Sequence, residues 1–250
     1  MRSPQQLVHS RARLRQRYAL FPLEGFPTSR LPSWPDAEVR VLASPALGAQ
    51  FVQYLIDLPD NGSAGEFAAS DGIETFFYVI SGTGSVPGSD KQDVIAGDFG
   101  LIPTGQPLAV TARQRTRLLI IRKRYEPVTG MKPFKGCFGH LSDIEAEVWA
   151  GNVHSRLQTL IPDELQYDMA MNIFTFDPGH GLPYVETHVM EHGLLMLEGK
   201  GMYYLDGEWM EVEKDDFIWM GPYCPQSFYA TGPTPAKYIY YKNVNREIAL

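Results

Sequence analysis

The stretch EHGLLMLEGKGMYYLDGEWMEVEKDDFIWMGPYCPQSFYA, residues 191–230, is a series of short apolar runs cut by turn residues. HGLLMLEG is an apolar strand that ends in Gly199. GMYYL and EWMEV flank Asp206-Gly207, a dipeptide that favours a tight hairpin because both positions tolerate positive φ. DDFIWM supplies the next strand, and AKYIYYKNV, which starts at Ala236, closes the set. Short strands with closely spaced turns predict an all-β sandwich or barrel. The 23 Gly and 19 Pro of the 250-residue chain agree, since both residues interrupt long helices.

The same pattern occurs earlier, in ETFFYVISGTGSVPGSDKQDVIAGDFGLIPTGQPLAV, residues 74–110. Gly82 and Gly84 match Gly199 and Gly201. Asp98-Phe99 match Asp216-Phe217, and Pro107 matches Pro225. One single-residue insertion keeps this register. Two copies of a module about 117 residues apart predict two like barrels in tandem. The chain divides into an N-terminal arm with the first strands (1–45), an N-terminal barrel (46–126), a connector (127–165) and a C-terminal barrel (166–250). Within the connector, SDIEAEVW reads as a helix, with Ser142 as N-cap and Glu145 at the capping-box position.

Composition narrows the function. A formal charge of −7 and the lack of any basic stripe or helix-turn-helix pattern argue against nucleic acid. No run of eighteen apolar residues is present, so no membrane-spanning helix is expected. Cys137 and Cys224 are far apart and form no CxxC pair, which suits free thiols in a cytoplasmic protein. Arg2, Arg11, Arg13, Arg15 and Arg17 precede the first acid, Glu24. An organellar transit peptide has this bias; the segment is read instead as an ordered arm leading into the first domain.

VETHVMEH, residues 185–192, places Glu186, His188 and His192 at even spacing. Residues i and i+2 of a strand share a face, so Glu186 and His188 both face a barrel interior, and His192 keeps the parity if the chain stays extended. Aligned with the second module by the repeat, the first holds Ala69, Asp71, Thr75 and Leu108 at the corresponding positions. One Asp and one Thr do not hold a divalent ion tightly, so the N-terminal barrel is expected to be metal-free. His180 precedes the motif as a turn residue. His9, His140 and His154 lack partners at ligand spacing.

GxG after an apolar strand, a hairpin, and then GDFGLIPTGQP at 97–107 resemble the cupin superfamily. The resemblance implies two jelly-roll barrels, a bicupin, with one metal inside a barrel. Glu186, His188, His192 and Gly199 keep the spacing of the first cupin motif, with the usual His and Glu types exchanged between first and third ligand. Gln226 falls where the fourth ligand stands. Two imidazoles, a carboxylate and an amide oxygen form a sulfur-free set that suits Mn²⁺ or Fe²⁺.

An empty first barrel with Glu-His-His-Gln in the second resembles the (S)-ureidoglycine aminohydrolases over nearly the whole chain, including LPSW at 31–34, SPALGAQF at 44–51 and FIWMGPYCPQSFYATG at 217–232. That resemblance implies one Mn²⁺ per chain, a small-molecule aminal substrate and hydrolytic loss of ammonia to give (S)-ureidoglycolate; two modules and an N-terminal arm favour self-association into a homo-oligomer. In KYIYYK, Tyr238, Tyr240 and Lys242 share one face by parity. The family's substrate-binding positions fall on Tyr238 and Lys242, with Tyr203 close to the pocket, while MYYL offers Tyr204 on the other face. Lys242 and Glu186 are the candidates for acid and base. Burial lowers the pKa of a lysine in such a place, and a neighbouring Glu186 opposes that. An Fe²⁺ dioxygenase, an isomerase and a non-enzymatic small-molecule binder are the competing readings of the same scaffold, since cupins host many chemistries.

Overall fold

The computed structural model of the chain describes residues 11–60, 63–89 and 92–244; His9 lies outside them. Among the described residues the secondary structure is twenty-two strands and three short 3-10 turns. The chain forms two compact units. Residues 11–26, 145–160 and 169–244 make one, the C-terminal barrel; residues 27–144 and 161–168 make the other, the N-terminal barrel.

In the C-terminal barrel an eight-stranded antiparallel sheet runs Arg13–Leu14, Tyr18–Phe21, Phe217–Met220, His192–Glu198, Ala236–Asn243, Met169–Phe176, Asn152–Thr159 and Glu147–Trp149. A three-stranded sheet of Glu208–Glu213, Lys200–Leu205 and Gln226–Ala230 faces it. Leu194, Met196, Ile218 and Phe174 from the large sheet pack with Leu205, Val212, Phe228 and Ala230 from the small one. Alternation along each strand sends these residues inward, and their burial is the main stabilising term.

The N-terminal barrel repeats the plan. Its seven-stranded sheet runs Cys137–His140, Asp98–Ile102, Ile73–Ser81, Thr116–Arg124, Phe51–Leu58, Trp34–Ala43 and Ser29–Leu31. Ala64–Phe67, Leu108–Ala112, Thr83–Ser85 and Val94–Ile95 form the facing sheet. Strand Tyr18–Phe21 caps Phe217–Met220 in one unit as Cys137–His140 caps Asp98–Ile102 in the other. Arg11 ties the arm down through hydrogen-bonded ion pairs with the buried Asp216 and with Glu213.

Three sequence expectations meet the structure directly. The Asp206-Gly207 hairpin forms, with both residues at positive φ (48° and 100°) between paired strands. Both cysteines are free. The helix at 142–149 does not form. Leu141–Asp143 is a 3-10 turn, capped by His140, whose Nδ1 accepts from the Ser142 amide. Glu147–Trp149 is a strand that turns through Ala150 (φ 50°) and Gly151 (φ 75°) and pairs back on Asn152–Thr159. A segment of eight residues is too short for helix propensity to outweigh a ladder of β-pairing hydrogen bonds. Among the described residues no helix is long and apolar enough to cross a membrane.

Candidate metal centre

The site grows from three pieces of the C-terminal barrel. Residues 187–191 are irregular chain between the bridge at Glu186 and the strand that starts at His192. Glu186 is bridged to Gln226, each amide donating to the other's carbonyl at 2.9 Å. His192 opens its strand and lies opposite Lys242 on the next. Tyr203 reaches in from the small sheet, where Leu205 pairs with Gln226. Gly199 (φ 71°) makes the turn that separates these two strands; a Cβ there would lie 2.5 Å from the Pro235 carbonyl oxygen.

His188, His192 and Gln226 converge. His192 Nε2 is 3.1 Å from His188 Nε2, and Gln226 Nε2 is 3.3 Å from the same atom. His192 Nδ1 lies 3.1 Å from the Tyr241 carbonyl, an acceptor that fixes the proton on Nδ1 and leaves Nε2 a lone pair. Burial, reinforced by His188, lowers the His192 pKa to about 3. Burial and the Lys242 charge lower that of His188 as well. Both imidazoles are therefore neutral, the form that ligates a metal. Tyr203 Oη donates to Gln226 Oε1 at 3.3 Å. A half-turn of that amide exchanges its ends and presents its oxygen to the imidazoles, with the phenol then accepting from the NH₂.

Glu186 stands in the same pocket. Burial raises its pKa, and the Lys242 ammonium counters part of that rise. Its charge also bears on the phenols of Tyr203, Tyr238 and Tyr240. The carboxylate does not close a tight cluster with the two histidines: among the described residues no three His, Cys, Asp and Glu side chains stand together as a metal site. The donors that meet are two imidazoles and an amide. With the amide turned so that its oxygen faces the imidazoles, two ring lone pairs and a carbonyl oxygen converge, an arrangement that a cation stabilises, so the residues fit a bound metal.

Tyr238 and Tyr203 are fully buried and interact through their hydroxyls. Burial drives both phenols well above their ordinary pKa, so they stay protonated donors. Tyr204 turns the other way and packs on Trp209. The structure thus brings Glu186, His188, His192, Gln226, Lys242, Tyr203 and Tyr238 near one another in the C-terminal barrel. It adds Asn172, which the sequence reading passed over. Asn172 shares an inward face with Phe174 and Phe176, lies beside Tyr240, and keeps a buried Oδ1 without a hydrogen-bond partner. The alternation in MNIFTF was the signal for it. His180 stacks on His154 at 4.0 Å and His154 binds Asp177, outside the convergent set.

In the N-terminal barrel the ligand positions need one correction. Phe67 faces Leu108 there as Glu186 faces Gln226 in the C-terminal barrel. Phe67, not Ala69, takes the first position, because the segment leading to Thr75 is two residues longer than the one leading to His192.

Two facing sheets around a polar pocket define a cupin barrel, and the family model described as the cupin domain matches residues 172–241. Over 237 residues the chain is 35% identical to the (S)-ureidoglycine aminohydrolase of Escherichia coli strain K12, covering 93% of this chain and 90% of that one. The crystal structure of the Escherichia coli protein Ylba matches 99% of this chain and all of its own, at 34% identity and a TM-score of 0.84. A putative glyoxylate-induced protein from Pseudomonas aeruginosa matches at 33% identity and a TM-score of 0.85, covering 96% and 93%. The chain belongs to the (S)-ureidoglycine aminohydrolase family and is a hydrolase.

Proposed function

We propose that this hydrolase releases ammonia from (S)-ureidoglycine and forms (S)-ureidoglycolate, with one Mn²⁺ held in the C-terminal barrel by Glu186, His188, His192 and Gln226. The observation that carries this reading is the convergence of two neutral imidazoles and an amide beside Lys242 and Glu186, in a chain whose relatives bear that name. The metal supplies a Lewis acid that binds and orients the substrate.

The chain's own groups do the rest. The ammonium of Lys242 offsets the substrate carboxylate and hands a proton to the departing amine as its carbon–nitrogen bond breaks. Glu186 takes a proton from the water whose oxygen joins that carbon. Tyr238 and Tyr203 present hydroxyl donors, and the wall of Phe174, Phe176 and Phe228 keeps other water out. Water thus adds across the broken bond and ammonia leaves.

Ammonia release from ureidoglycine, made in situ from allantoate, with and without Mn²⁺ tests the reading. Mn²⁺-stimulated release without oxygen uptake is expected; oxygen consumption would show an oxygenase instead. One metal equivalent per chain should vanish in His188→Ala and persist in Asp71→Ala. A second equivalent that disappears with Asp71 would refute the single-site reading.

A further inference from the structure

The N-terminal barrel carries a cation of its own at the place where the other barrel carries its pocket. Arg122 lies opposite Thr75 on the neighbouring strand, as Lys242 lies opposite His192. It shares an inward face with Leu118 and Ile120 of that barrel's core. Its guanidinium carbon sits 4.5 Å above the centre of the Phe67 ring, the residue in the place of Glu186. Nε is 3.4 Å from Thr75 Oγ1, a long contact. Tyr54 packs on Phe67 with ring centres 5.1 Å apart.

What sets Arg122 apart is a half-buried position without a carboxylate, whereas Arg30, Arg115 and Arg124, also without one, are exposed. Arg11, Arg40, Arg113, Arg117 and Arg156 each hold a carboxylate. Among the described residues Arg122 holds none, and burial disfavours its charge. A guanidinium remains protonated in a protein, so a half-buried one without an anion is an unsatisfied charge. The aromatic face below fixes its plane. With Nε turned to Thr75, the Nη edge remains as a rigid fork of the geometry that pairs with a carboxylate.

We propose that the N-terminal barrel is a binding site for a small carboxylate, which pairs with the free edge of Arg122 above Phe67 and beside Tyr54. A fixed guanidinium there fills the role that a metal plays in the other barrel, that of holding an anionic ligand. The site is independent of the reaction proposed above. None of its residues belongs to the catalytic pocket.

Phenylglyoxal, which modifies accessible guanidinium groups, reads the site in the unmodified Mn²⁺-loaded enzyme. Peptide mass spectrometry follows Arg122, with the exposed Arg30 as internal control. Sodium acetate should slow modification of Arg122 saturably, by about ten-fold when acetate is at ten times its dissociation constant. Equal ionic strength as sodium chloride should not, and Arg30 should be slowed by neither. Phe67→Leu should shift the protection curve to higher acetate. Equal Arg122 rates with and without acetate, or equal protection by chloride, would overturn the proposal. So would an Arg122 that is unreactive in the absence of acetate, because its Nη edge would then be covered by the protein.

Discussion

Lys242 is the residue on which the proposed chemistry turns. Its charge acts on Glu186, His188 and His192 together, so it sits among the proposed ligands without being one. Lys242→Ala should therefore keep the metal and the fold and lose about two to four orders of magnitude in turnover, the usual worth of a positioned acid. Lys242→Arg should not rescue, because a guanidinium does not give up its proton near neutral pH. Rescue by Arg would make the residue an anchor of charge only. Asn172 offers a complementary case. Its buried Oδ1 meets no protein donor among the described residues, and an unmet buried acceptor costs about 1–3 kcal/mol. Asn172→Leu should leave the melting temperature unchanged or raise it while kcat/KM falls by about ten-fold, as expected if the amide reads a polar group of the substrate. An unchanged kcat/KM would make Asn172 a purely structural residue.

At the scale of elements, the turn at Gly199 decides where the site strands run. Its positive φ and its approach to the Pro235 carbonyl both exclude a side chain. Gly199→Ala should cost about 1–3 kcal/mol in urea unfolding, from strain plus backbone displacement. Gly207, in the exposed hairpin, has φ 100° but nothing within 4 Å of a Cβ. Gly207→Ala should then cost less, about 1 kcal/mol from conformation alone. Equal losses would mean that the contact with Pro235 relaxes freely. The misread helix at 142–149 belongs to this scale too. Its capping-box spacing was real, but Trp149 packs edge-on to Phe174, a tertiary contact that only a strand in this sheet provides.

Across the N-terminal unit as a whole, one buried charge group deserves a pH test. Lys123 is ion-paired with Asp168 and lies 3.5 Å from Glu74 Oε1, all three side chains being buried. One cation cannot neutralise two carboxylates. Burial, then the neighbouring Asp168, push the Glu74 pKa well above the usual carboxylate range, against the pull of Lys123. Between the ordinary and the raised pKa the folded state binds the extra proton, so stability falls as pH rises through that window. It is fully present below the ordinary carboxylate pKa. Glu74→Gln should flatten this decline and make the protein relatively more stable at alkaline pH. Urea midpoints measured from pH 4 to 9 check it; a mutant whose pH profile parallels the wild type would place the proton elsewhere.

The repeat, the hairpin at Asp206 and the spacing that brings His188, His192 and Gln226 together were legible in the sequence, because they rest on local rules. Alternation selects an inward face, positive φ selects Gly or Asp, and the repeat fixes register wherever the two copies have equal length. The tertiary structure decided what depends on pairing partners distant in the chain. Strand Tyr18–Phe21 closes one barrel and Cys137–His140 the other, although the periodicity of either segment names no partner. The two-residue difference before Thr75 put Phe67 rather than Ala69 opposite Leu108. Asn172 and Arg122 acquired their meaning only from their surroundings, one through an amide oxygen that meets no protein donor and the other as a cation without a counter-charge. The physical reason is the same in each case: a side chain's type is local, while its burial and its partners are set by strands that meet across the fold.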